Sequence, residues 1–472
     1  MEIKKKSEFI WEIEKTGNMK VPAIVYASEK LMNLIKRDKS LDQAKNVACL
    51  KGIQKASYVM PDAHQGYGFP IGGVAAFDMK KGIISPGGVG YDINCSVRLL
   101  STNISVDDMM KKRKEVINLL FDNIPAGVGK KGKKRFSKEE LTEVLAGGTK
   151  WAVEQGYGVK QDYEHTEDHG CLPNDPNAIS ERAMQRGMPQ LGSLGAGNHF
   201  LEIQKIDQIY KPELAKTFML DNKDNVVIMV HCGSRGLGHQ VASDYIKEME
   251  QKYGIKDLPD RQLINAPIQS DLGQKYLNAM GAAGNFAFAN KQMITHWIRE
   301  SLQKIFGKDS EANVVYDVCH NIAKIEKHQV DGKTKELCVH RKGATRSFGP
   351  GREELPQIYQ KTGQPVLIPG SMGTASYVLV GTKQAEELSF ASTAHGAGRV
   401  ASRSEMLRNF RGEQIKKQME QKDIFLKGAS WKGIAEEAPQ AYKDIDEVIR
   451  VSDSLGIGKT VVRVVPLGVI KG

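Results

Sequence analysis

Val226-Val-Ile-Met-Val230 is an uninterrupted apolar run that ends directly at His231. A short apolar run rich in β-branched residues is typical of a buried β-strand. Val314-Val-Tyr-Asp-Val-Cys319 has a similar character, and it ends directly at His320. The sequence therefore predicts two core strands, each of which carries a histidine at its end.

Helical patterns lie between and around these strands. They predict helices over residues 25–36, 107–121, 137–155, 239–253 and 271–305. Ser137 and Glu140 have the spacing of a capping box, which marks the start of the third of these helices. The small residues from Ala279 to Gly284 would allow the last helix to pack closely against its neighbours.

The connections between these elements indicate the fold class. Val59-Met60 ends a predicted strand that leads into segment 61–66, and Asp331-Gly332 predicts a hairpin turn before residues 337–340. The elements follow one another without a regular βαβ rhythm, which disfavours a doubly wound sheet. We predict an α+β fold in one large domain over residues 1–472, with a mixed β core surrounded by helices.

The composition is that of a soluble globular protein, with 40% apolar and 26% charged residues. The sequence contains no run of about 18 apolar residues, and its first residues lack the apolar core of a secretory signal. We therefore expect a cytoplasmic protein without membrane contact. Six cysteines are scattered without C-x-x-C spacing, which favours reduced thiols over a disulfide framework.

The formal charge of +11 suits a polyanionic partner such as a nucleic acid or a nucleotide, although an ordinary basic surface explains it equally well. The densest basic cluster, Lys130-Lys-Gly-Lys-Lys-Arg135, is interpreted as a solvated loop ahead of a helix. Glycine is more informative than charge. The 47 glycines exceed the usual share of about 7%, and they cluster beside histidines.

The segment Ser85-Pro-Gly-Gly-Val-Gly-Tyr-Asp92-Ile-Asn-Cys95 places a carboxylate and a thiol three residues apart. On a tight turn or a short helix, Asp92 and Cys95 can both reach one metal ion. Taken alone, the segment also fits a glycine turn into a strand, with Cys95 as a small buried apolar residue.

Four histidines favour the metal interpretation. His231 and His320 follow the predicted strands, and His199 and His395 lie in glycine-rich turns. Together with the carboxylate and the thiol, they offer the nitrogen, oxygen and sulfur ligands that a divalent transition metal prefers. By ligand type alone, the predicted metal is zinc.

Arginines beside glycines predict an anion site. Arg235 and Arg399 could each make bidentate contacts with a phosphate, and glycine-rich turns expose backbone N–H groups to it. The sequence has no Walker loop, no Rossmann fingerprint in a βαβ setting and no Lys-x-Asp-Gly ligase motif. A nucleotide must therefore be held in another way, and a lysine-adenylate mechanism has no candidate nucleophile.

Seven motifs follow one another along the chain. They are Pro61-Asp-Ala-His-Gln-Gly-Tyr-Gly-Phe-Pro-Ile-Gly-Gly73, Gly87-Gly-Val-Gly-Tyr-Asp-Ile-Asn-Cys95, Leu194-Gly-Ala-Gly-Asn-His199, His231-Cys-Gly-Ser-Arg-Gly236, Cys319-His-Asn-Ile-Ala323, Pro369-Gly-Ser-Met-Gly-Thr-Ala-Ser376 and His395-Gly-Ala-Gly-Arg399. Motifs of this length and number are far more specific than a single glycine pattern. With them the chain resembles, from about residue 20 to the C-terminus, the RtcB family of GTP-dependent RNA ligases.

The resemblance implies an RtcB-like fold and a site with two Mn²⁺ ions, in place of the zinc that ligand type suggests. Cys95 would bridge both ions. His231 and His320 would complete one shell, and Asp92 and His199 would complete the other. Mixed nitrogen, oxygen and sulfur ligation does not forbid Mn²⁺, because metal availability as well as affinity decides loading.

The same resemblance makes His395 the nucleophile that attacks the α-phosphate of GTP and carries GMP as a phosphoramidate. The implied guanylate contacts are Asn198, Glu202, Ser371, Ser376, His395, Gly396, Ala397, Gly398, Tyr442 and Lys471. The position of Lys471 near the end of the sequence also fits a frayed lysine. Arg235, Arg399 and Asn198 are the implied contacts for RNA phosphates.

The family reaction joins RNA 2′,3′-cyclic phosphate or 3′-phosphate ends to 5′-hydroxyl ends, in tRNA splicing or RNA repair. The implied partners are GTP and RNA, as tRNA halves or broken RNA ends. Members commonly use a small helper protein, archease, although no residue here indicates that dependence.

Two other interpretations stay open: a metal-dependent cyclic phosphodiesterase without ligation, and a basic RNA-binding protein with a structural metal. The residues without an assigned role are His64, His165 and His169, and two thiols interpreted as packing residues, Cys232 and Cys319.

Overall fold

The structure is a computed structural model that describes residues 2–472. Within these residues the strands are β1 Lys4–Lys5, β2 Ile10–Ile13, β3 Ala23–Tyr26, β4 Ser57–His64, β5 Ile71–Asp78, β6 Ile83–Ile84, β7 Ser96–Ser105, β8 Phe200–Ile209, β9 Asn225–Cys232, β10 Ala266–Pro267, β11 Ala312–Cys319, β12 Asn321–Val330, β13 Lys333–Lys342, β14 Ala344–Arg346, β15 Pro365–Ile368, β16 Ser376–Val380, β17 Ser392–Ala394, β18 Phe425–Gly428 and β19 Lys459–Lys471. The α-helices are α1 Glu29–Ile35, α2 Ser40–Ala48, α3 Val106–Asn123, α4 Lys138–Glu154, α5 Lys160–Glu164, α6 Glu181–Gly187, α7 Pro212–Thr217, α8 Arg235–Tyr253, α9 Asp271–Phe306, α10 Lys383–Ser389, α11 Arg403–Asn409, α12 Gly412–Gln421, α13 Trp431–Glu436 and α14 Ile445–Leu455.

Two large mixed sheets form the β core, and this confirms the predicted α+β class. The first sheet has the strand order β1-β2-β3-β4-β5-β13-β12, and its one parallel pair is β3 with β4. The predicted hairpin turn lies at Asp331-Gly332, between β12 and β13. Both turn residues have positive φ, 53° and 72°, as the favoured two-residue hairpin requires.

The second sheet has the order β11-β7-β9-β8-β19-β16-β15, with β18 paired in parallel to β19. The two apolar runs that end at histidines are β9 and β11, as predicted, and they lie on either side of β7. Valine, isoleucine and leucine side chains of these central strands are buried on both faces, in two separate apolar clusters. A strand that is buried on both faces reads as a continuous apolar run, which explains the sequence pattern.

Helix α9 is 36 residues long and crosses the core beside these strands. Its small residues permit the close packing that the sequence predicts: a methyl group on Gly281 would lie 1.9 Å from the carbonyl oxygen of Pro173. The carbonyl oxygen of Gly284 accepts a hydrogen bond of 2.8 Å from the side-chain amide of Asn94. Helix α9 therefore also braces the loop that leads into β7.

The predicted bounds are confirmed for most helices and wrong in three places. Helices α3, α4 and α9 match the prediction, and the capping box between Ser137 and Glu140 forms at the start of α4. The predicted helix 25–36 is wrong in its first residues, because β-branched residues there join the first sheet as β3. The helix begins only at Glu29, after Ser28 caps it.

Two further bounds are wrong, both in segments that contain proline or glycine. Strand β4 continues through Pro61 to His64 instead of ending near Met60, with an irregular register after Val59. Helix α8 begins at Arg235, four residues before the predicted start. In both places tertiary packing overrides local propensity, since neighbouring strands and helices stabilise a backbone that the sequence alone does not favour.

The basic cluster 130–135 lies in a loop ahead of α4, as predicted. No helix among residues 2–472 combines the length and the apolar character that crossing a bilayer requires. The assignment of residues 1–472 to one domain stays a prediction.

Candidate active site

Four of the predicted metal ligands meet at one edge of the second sheet because of strand direction. Strand β7 runs antiparallel to β11 and β9, and β9 runs antiparallel to β8. The starts of β7 and β8 therefore lie beside the ends of β9 and β11. Cys95 and His199 directly precede β7 and β8, while His231 lies at the end of β9 and His320 directly follows β11.

The ligand atoms form two groups that share Cys95. One group is Cys95, His231 and His320, and the other is Asp92, Cys95 and His199; within each group the ligand atoms lie within 4.8 Å of one another. The Cys95 Sγ lies 3.2 Å from His231 Nε2 and 3.5 Å from His199 Nε2. His231 Nε2 lies 3.2 Å from His320 Nε2, and His199 Nε2 lies 2.8 Å from Asp92 Oδ2.

Backbone hydrogen bonds fix the turn that carries Asp92 and Cys95. The Cys95 N–H donates to the Asp92 carbonyl at 3.1 Å, and the Cys95 carbonyl accepts from the His320 N–H at 2.9 Å. Asn94, at the centre of the turn, has a φ of 54°, a conformation that asparagine tolerates better than most residues. Its N–H donates to the Asn321 carbonyl at 2.7 Å. The turn is thereby tied to the end of β11.

The electrostatics of these groups suit a cation. Burial, reinforced by neighbouring histidines, lowers the pKa of His231 and of His320 well below the usual value, so both imidazoles are neutral. Burial and the nearby Asp92 raise the pKa of Cys95 to about 12. Burial also disfavours the charged form of Asp92, but the charge and hydrogen bond of His199 outweigh it and bring the pKa of Asp92 to about 2.

The donor set fits a pair of divalent metal ions. The neutral imidazoles of His231 and His320 and the carboxylate of Asp92 are ready ligands. Burial lowers the pKa of His199, but the neighbouring Cys232, Asp92 and Cys95 outweigh it and hold that pKa well above the usual value. A bound dication would therefore displace a proton from His199 as well as from the Cys95 thiol. His199 Nδ1 lies 3.1 Å from the Leu194 carbonyl oxygen, the usual outer partner that orients a ligating histidine and directs its Nε2 to the metal. A single thiolate between the two groups is placed to serve both.

His395 stands beside this cluster and is oriented by Asp62. The two rings of His395 and His320 have centroids 4.8 Å apart. His395 Nδ1 lies 2.5 Å from Asp62 Oδ2, and the same oxygen accepts the backbone N–H groups of His395 and Gly396 at 2.9 and 3.2 Å. A fully buried carboxylate at Nδ1 holds the imidazole in the tautomer that leaves Nε2 unprotonated. This is the arrangement that a histidine nucleophile needs.

A cavity of about 510 Å³ opens over His395 and the metal cluster, within the usual range for a ligand site. The predicted site residues on its wall are Asp92, Asn198, Glu202, His231, His320, Ser371, His395, Gly396, Ala397, Gly398, Arg399, Tyr442 and Lys471. Cys95 and His199 are buried beside it.

Glu202 and Lys471, the predicted partners of the guanine base, lie on the cavity wall on adjacent strands, β8 and β19. Both side chains are buried. Burial raises the pKa of Glu202 to about 7, and burial lowers the pKa of Lys471. Gln204 donates a hydrogen bond of 2.8 Å to the Glu202 carboxylate. Lys471 is therefore an ordered side chain of the site, which removes the frayed-lysine alternative.

Glu437 is a buried carboxylate that collects four polar groups of the cavity. Its Oε1 lies 3.1 Å from Arg399 Nη1 and 3.1 Å from Arg403 Nε. Its Oε2 accepts a hydrogen bond from the Tyr442 hydroxyl and lies 3.8 Å from Lys471 Nζ. These cations outweigh burial and lower the pKa of Glu437. Glu437 thus sets the positions of the predicted nucleotide contacts without being one of them.

Two predicted contacts lie off the cavity wall. Ser376 is buried behind it, where its hydroxyl accepts the Gly370 N–H at 3.1 Å and so supports the wall from behind. Arg235 lies against the glycine-rich segment that carries His199: a methyl group on Gly195 would lie 1.9 Å from Arg235 Nη1. Their roles as nucleotide and phosphate contacts stay predictions.

Sequence reasoning missed several residues that line or support the cavity. Asp62 lies within the first family motif, but the sequence alone assigns it no role. His64 does line the cavity, and burial lowers its pKa to about 4. Arg403 and Lys342 line it as well. No local pattern pointed to Glu437, whose neighbours in the sequence form an ordinary helix end.

The other four residues without an assigned role do not line the cavity. His165 is buried, with Nδ1 2.8 Å from the Val314 carbonyl oxygen, and His169 is exposed. Cys232 and Cys319 are both buried. The Cys232 thiol donates to the Leu194 carbonyl at 3.0 Å, and the Cys319 N–H donates to Glu167 at 2.8 Å. These contacts serve packing around the ligands.

Similarity to known proteins agrees with this geometry. A family profile described as tRNA-splicing ligase RtcB matches residues 43–472. A protein named tRNA-splicing ligase RtcB from Thermococcus kodakarensis is 54% identical over all of this chain and 99% of its own length. Proteins of the same name from Archaeoglobus fulgidus and Nanoarchaeum equitans are each 51% identical over all of this chain and 99% and 100% of their own lengths. The chain therefore belongs to the tRNA-splicing ligase RtcB family.

Proposed function

We propose that the chain is a GTP- and Mn²⁺-dependent RNA ligase that joins RNA 2′,3′-cyclic phosphate or 3′-phosphate ends to 5′-hydroxyl ends. Family membership supports the ligase activity. The observation that carries the mechanism is the pair formed by His395 and Asp62, which opens on the same cavity as the two metal-ligand groups. The proposed setting is tRNA splicing or RNA repair, with tRNA halves or broken RNA ends as substrates.

The first step is transfer of GMP to His395. The lone pair of His395 Nε2 attacks the α-phosphorus of GTP, an N–P bond forms, and the bond to the bridging oxygen breaks as pyrophosphate leaves with its electron pair. Asp62 accepts the Nδ1–H and stabilises the positive charge that develops on the ring. The bound metal ions supply a Lewis acid that offsets negative charge on the phosphates.

The next steps consume this phosphoramidate. Water opens a 2′,3′-cyclic phosphate to a 3′-phosphate, and an oxygen of that phosphate attacks the GMP phosphorus, which breaks the N–P bond and frees His395. The 5′-hydroxyl oxygen of the second RNA then attacks the activated 3′-phosphate. A phosphodiester forms, GMP leaves, and the hydroxyl proton passes to solvent. Recruitment of archease stays a prediction from the family.

The nucleotide contacts follow from the chemistry of guanine. An ionised Glu202 can accept from the N1 and N2 donors of the base, and Lys471 can donate to an acceptor on the purine edge. Tyr442 offers a ring face beside Arg399, whose guanidinium lies 5.3 Å from the ring centroid. A phosphodiesterase without ligation, or a protein with a structural metal, would need neither these guanine contacts nor a histidine nucleophile.

The decisive experiment uses Mn²⁺ and α-labelled GTP. We expect the protein to acquire a label that is acid-labile and alkali-stable, as a phosphoramidate is, and we expect His395→Ala to abolish it. His169→Ala is the matched control, because His169 is exposed outside the cavity and should leave labelling unchanged. Absence of label on the wild-type protein, or label that survives His395→Ala, would overturn the proposed mechanism.

A further inference from the structure

The loop of residues 126–135, here called the basic loop, is the densest cationic segment of the chain and has no part in the mechanism above. Five of its last six residues are lysine or arginine. A segment of this kind is by default a solvated surface loop. This loop, however, is hydrogen-bonded to a segment that leads to the cavity, which an ordinary solvated loop need not be.

The basic loop is fixed at both ends to the glycine-rich segment 189–197, which leads into Asn198 and His199. The Gly127 N–H donates to the Gly195 carbonyl at 2.8 Å, and the Gly132 N–H donates to the Pro189 carbonyl at 2.8 Å. The approach is so close that a methyl group on Gly132 would lie 1.9 Å from the Leu191 carbonyl oxygen. These contacts attach the loop to segment 189–197 at two points.

The segment 189–197 connects the basic loop to the cavity. Asn198 lines the cavity and follows Gly195 by three residues, a distance of at most about 11 Å along an extended chain. Two arginines also contact this segment. Arg235 packs against Gly195, and Arg403 Nη2 would lie 3.1 Å from a methyl group on Gly197. The segment therefore contacts the basic loop and two arginines, and it leads directly to the wall of the cavity.

The cations within the loop divide into two sets. Lys133 and Lys134 are bound to the protein: Lys133 lies over the Trp297 ring at 4.9 Å, and Lys134 pairs with Glu140 at 3.2 Å. The other set consists of exposed cations that form no ion pair within residues 2–472, namely Lys130, Lys131 and Arg135. One set anchors the loop, and the other is directed to solvent.

We propose that the basic loop is an RNA-docking surface that binds backbone phosphates of the strand leading into the cavity. The inference rests on the proposed function, since it names a contact for that function's substrate. Exposed, anchored cations bind phosphates without reading sequence, and they contribute affinity that falls as salt rises. Val128, 90% exposed at the loop tip, adds an apolar surface that a ribose or base can cover.

The test compares two triple variants that remove the same charge. Lys130→Gln/Lys131→Gln/Arg135→Gln neutralises the outward set. The control, Lys51→Gln/Lys80→Gln/Lys81→Gln, neutralises three exposed lysines near the far end of β5, which runs from Ile71 on the cavity wall to Asp78. The end of that strand lies about 23 Å from Ile71. Binding of a fluorescently labelled single-stranded RNA with a 5′-hydroxyl end is measured against salt, alongside labelling by α-labelled GTP.

We expect the loop variant to bind RNA about tenfold more weakly, with the salt slope of log affinity reduced by about 2, and to be labelled by GTP as the wild type is. The control variant should keep wild-type RNA affinity. Unchanged RNA affinity and salt slope in the loop variant, or an equal loss in the control, would overturn the inference. Failure of the proposed function looks different, because the wild-type protein itself would then take no label from GTP.

Discussion

The two sides of the cavity differ in how their polar groups are paired. The metal side consists of Asp92, Cys95, His199, His231 and His320. Its neighbouring donor atoms lie 2.8–3.5 Å from one another. On the nucleotide side, made of Glu202, Arg399, Glu437, Tyr442 and Lys471, charged groups are paired with one another inside the protein. The first side consists of groups that bind a cation, and the second of groups that bind each other.

The difference fits what each side is proposed to recognise, a metal ion on the first and the guanine of GTP on the second. A dication brings more charge than any side chain, so it can organise crowded donors once it binds. A guanine base is neutral and is recognised by the direction of its hydrogen bonds, so its partners must be in place beforehand. His395 stands between the two sides, and Asp62 gives it the same prior orientation. Substitutions should therefore have different signatures on the two sides.

The largest expected effect is on the metal side. Cys95→Ala removes the one ligand that both groups share, so metal affinity should fall by more than about 100-fold and guanylylation should be lost with it. Metal analysis of the purified protein, together with labelling by GTP, measures both. Cys338→Ala is the matched control, since this buried thiol lies in β13 and outside both groups. Normal metal content in Cys95→Ala would contradict the shared role.

The second prediction concerns the group between the two sides. Asp62→Asn should favour the wrong tautomer of His395 and reduce the guanylylation rate about 10²- to 10⁴-fold. Metal content should not change, because Asp62 lies in neither ligand group. Single-turnover labelling at saturating GTP measures the rate. A change smaller than about threefold would mean that the hydrogen bond does not prepare the nucleophile.

The third prediction tests the internal pairing of the nucleotide side. Glu437→Gln keeps the shape but removes the charge that holds Arg399 and Lys471, so we expect the KM for GTP to rise about tenfold while kcat changes less. Glu436→Gln is the neighbouring control, because the Glu436 side chain lies 3.8 Å from Lys432 and away from the cavity. An unchanged KM, or an equal fall in kcat, would assign Glu437 a merely structural role.

The smallest effect is a pH dependence set by Glu202. Its pKa, raised by burial to about 7, means that the carboxylate is ionised above pH 7 and protonated below it. Only the ionised form accepts both guanine donors, so the KM for GTP should rise about threefold between pH 7.5 and pH 6.5. Glu202→Gln should show a high KM without this dependence. A wild-type KM that stays flat over the same range would argue against Glu202 as the guanine acceptor.

Much of the fold was predictable because local patterns dominate it. The apolar runs of β9 and β11, the capping box of α4 and the Asp331-Gly332 turn each depend on neighbouring residues, and each prediction is confirmed. The errors at β3 and at the start of α8 arose where a partner distant in sequence decides the conformation.

By itself, the sequence determined which residue types could bind a metal ion or act as a nucleophile. It also placed His231 and His320 at the ends of core strands, because an apolar run and the polar residue after it are adjacent in the chain. The tertiary structure alone decided how these residues combine. Antiparallel pairing brings four strand termini to one edge, and Asp62 reaches His395 across 333 residues of sequence. No local pattern encodes such contacts, since they depend on how distant segments pack.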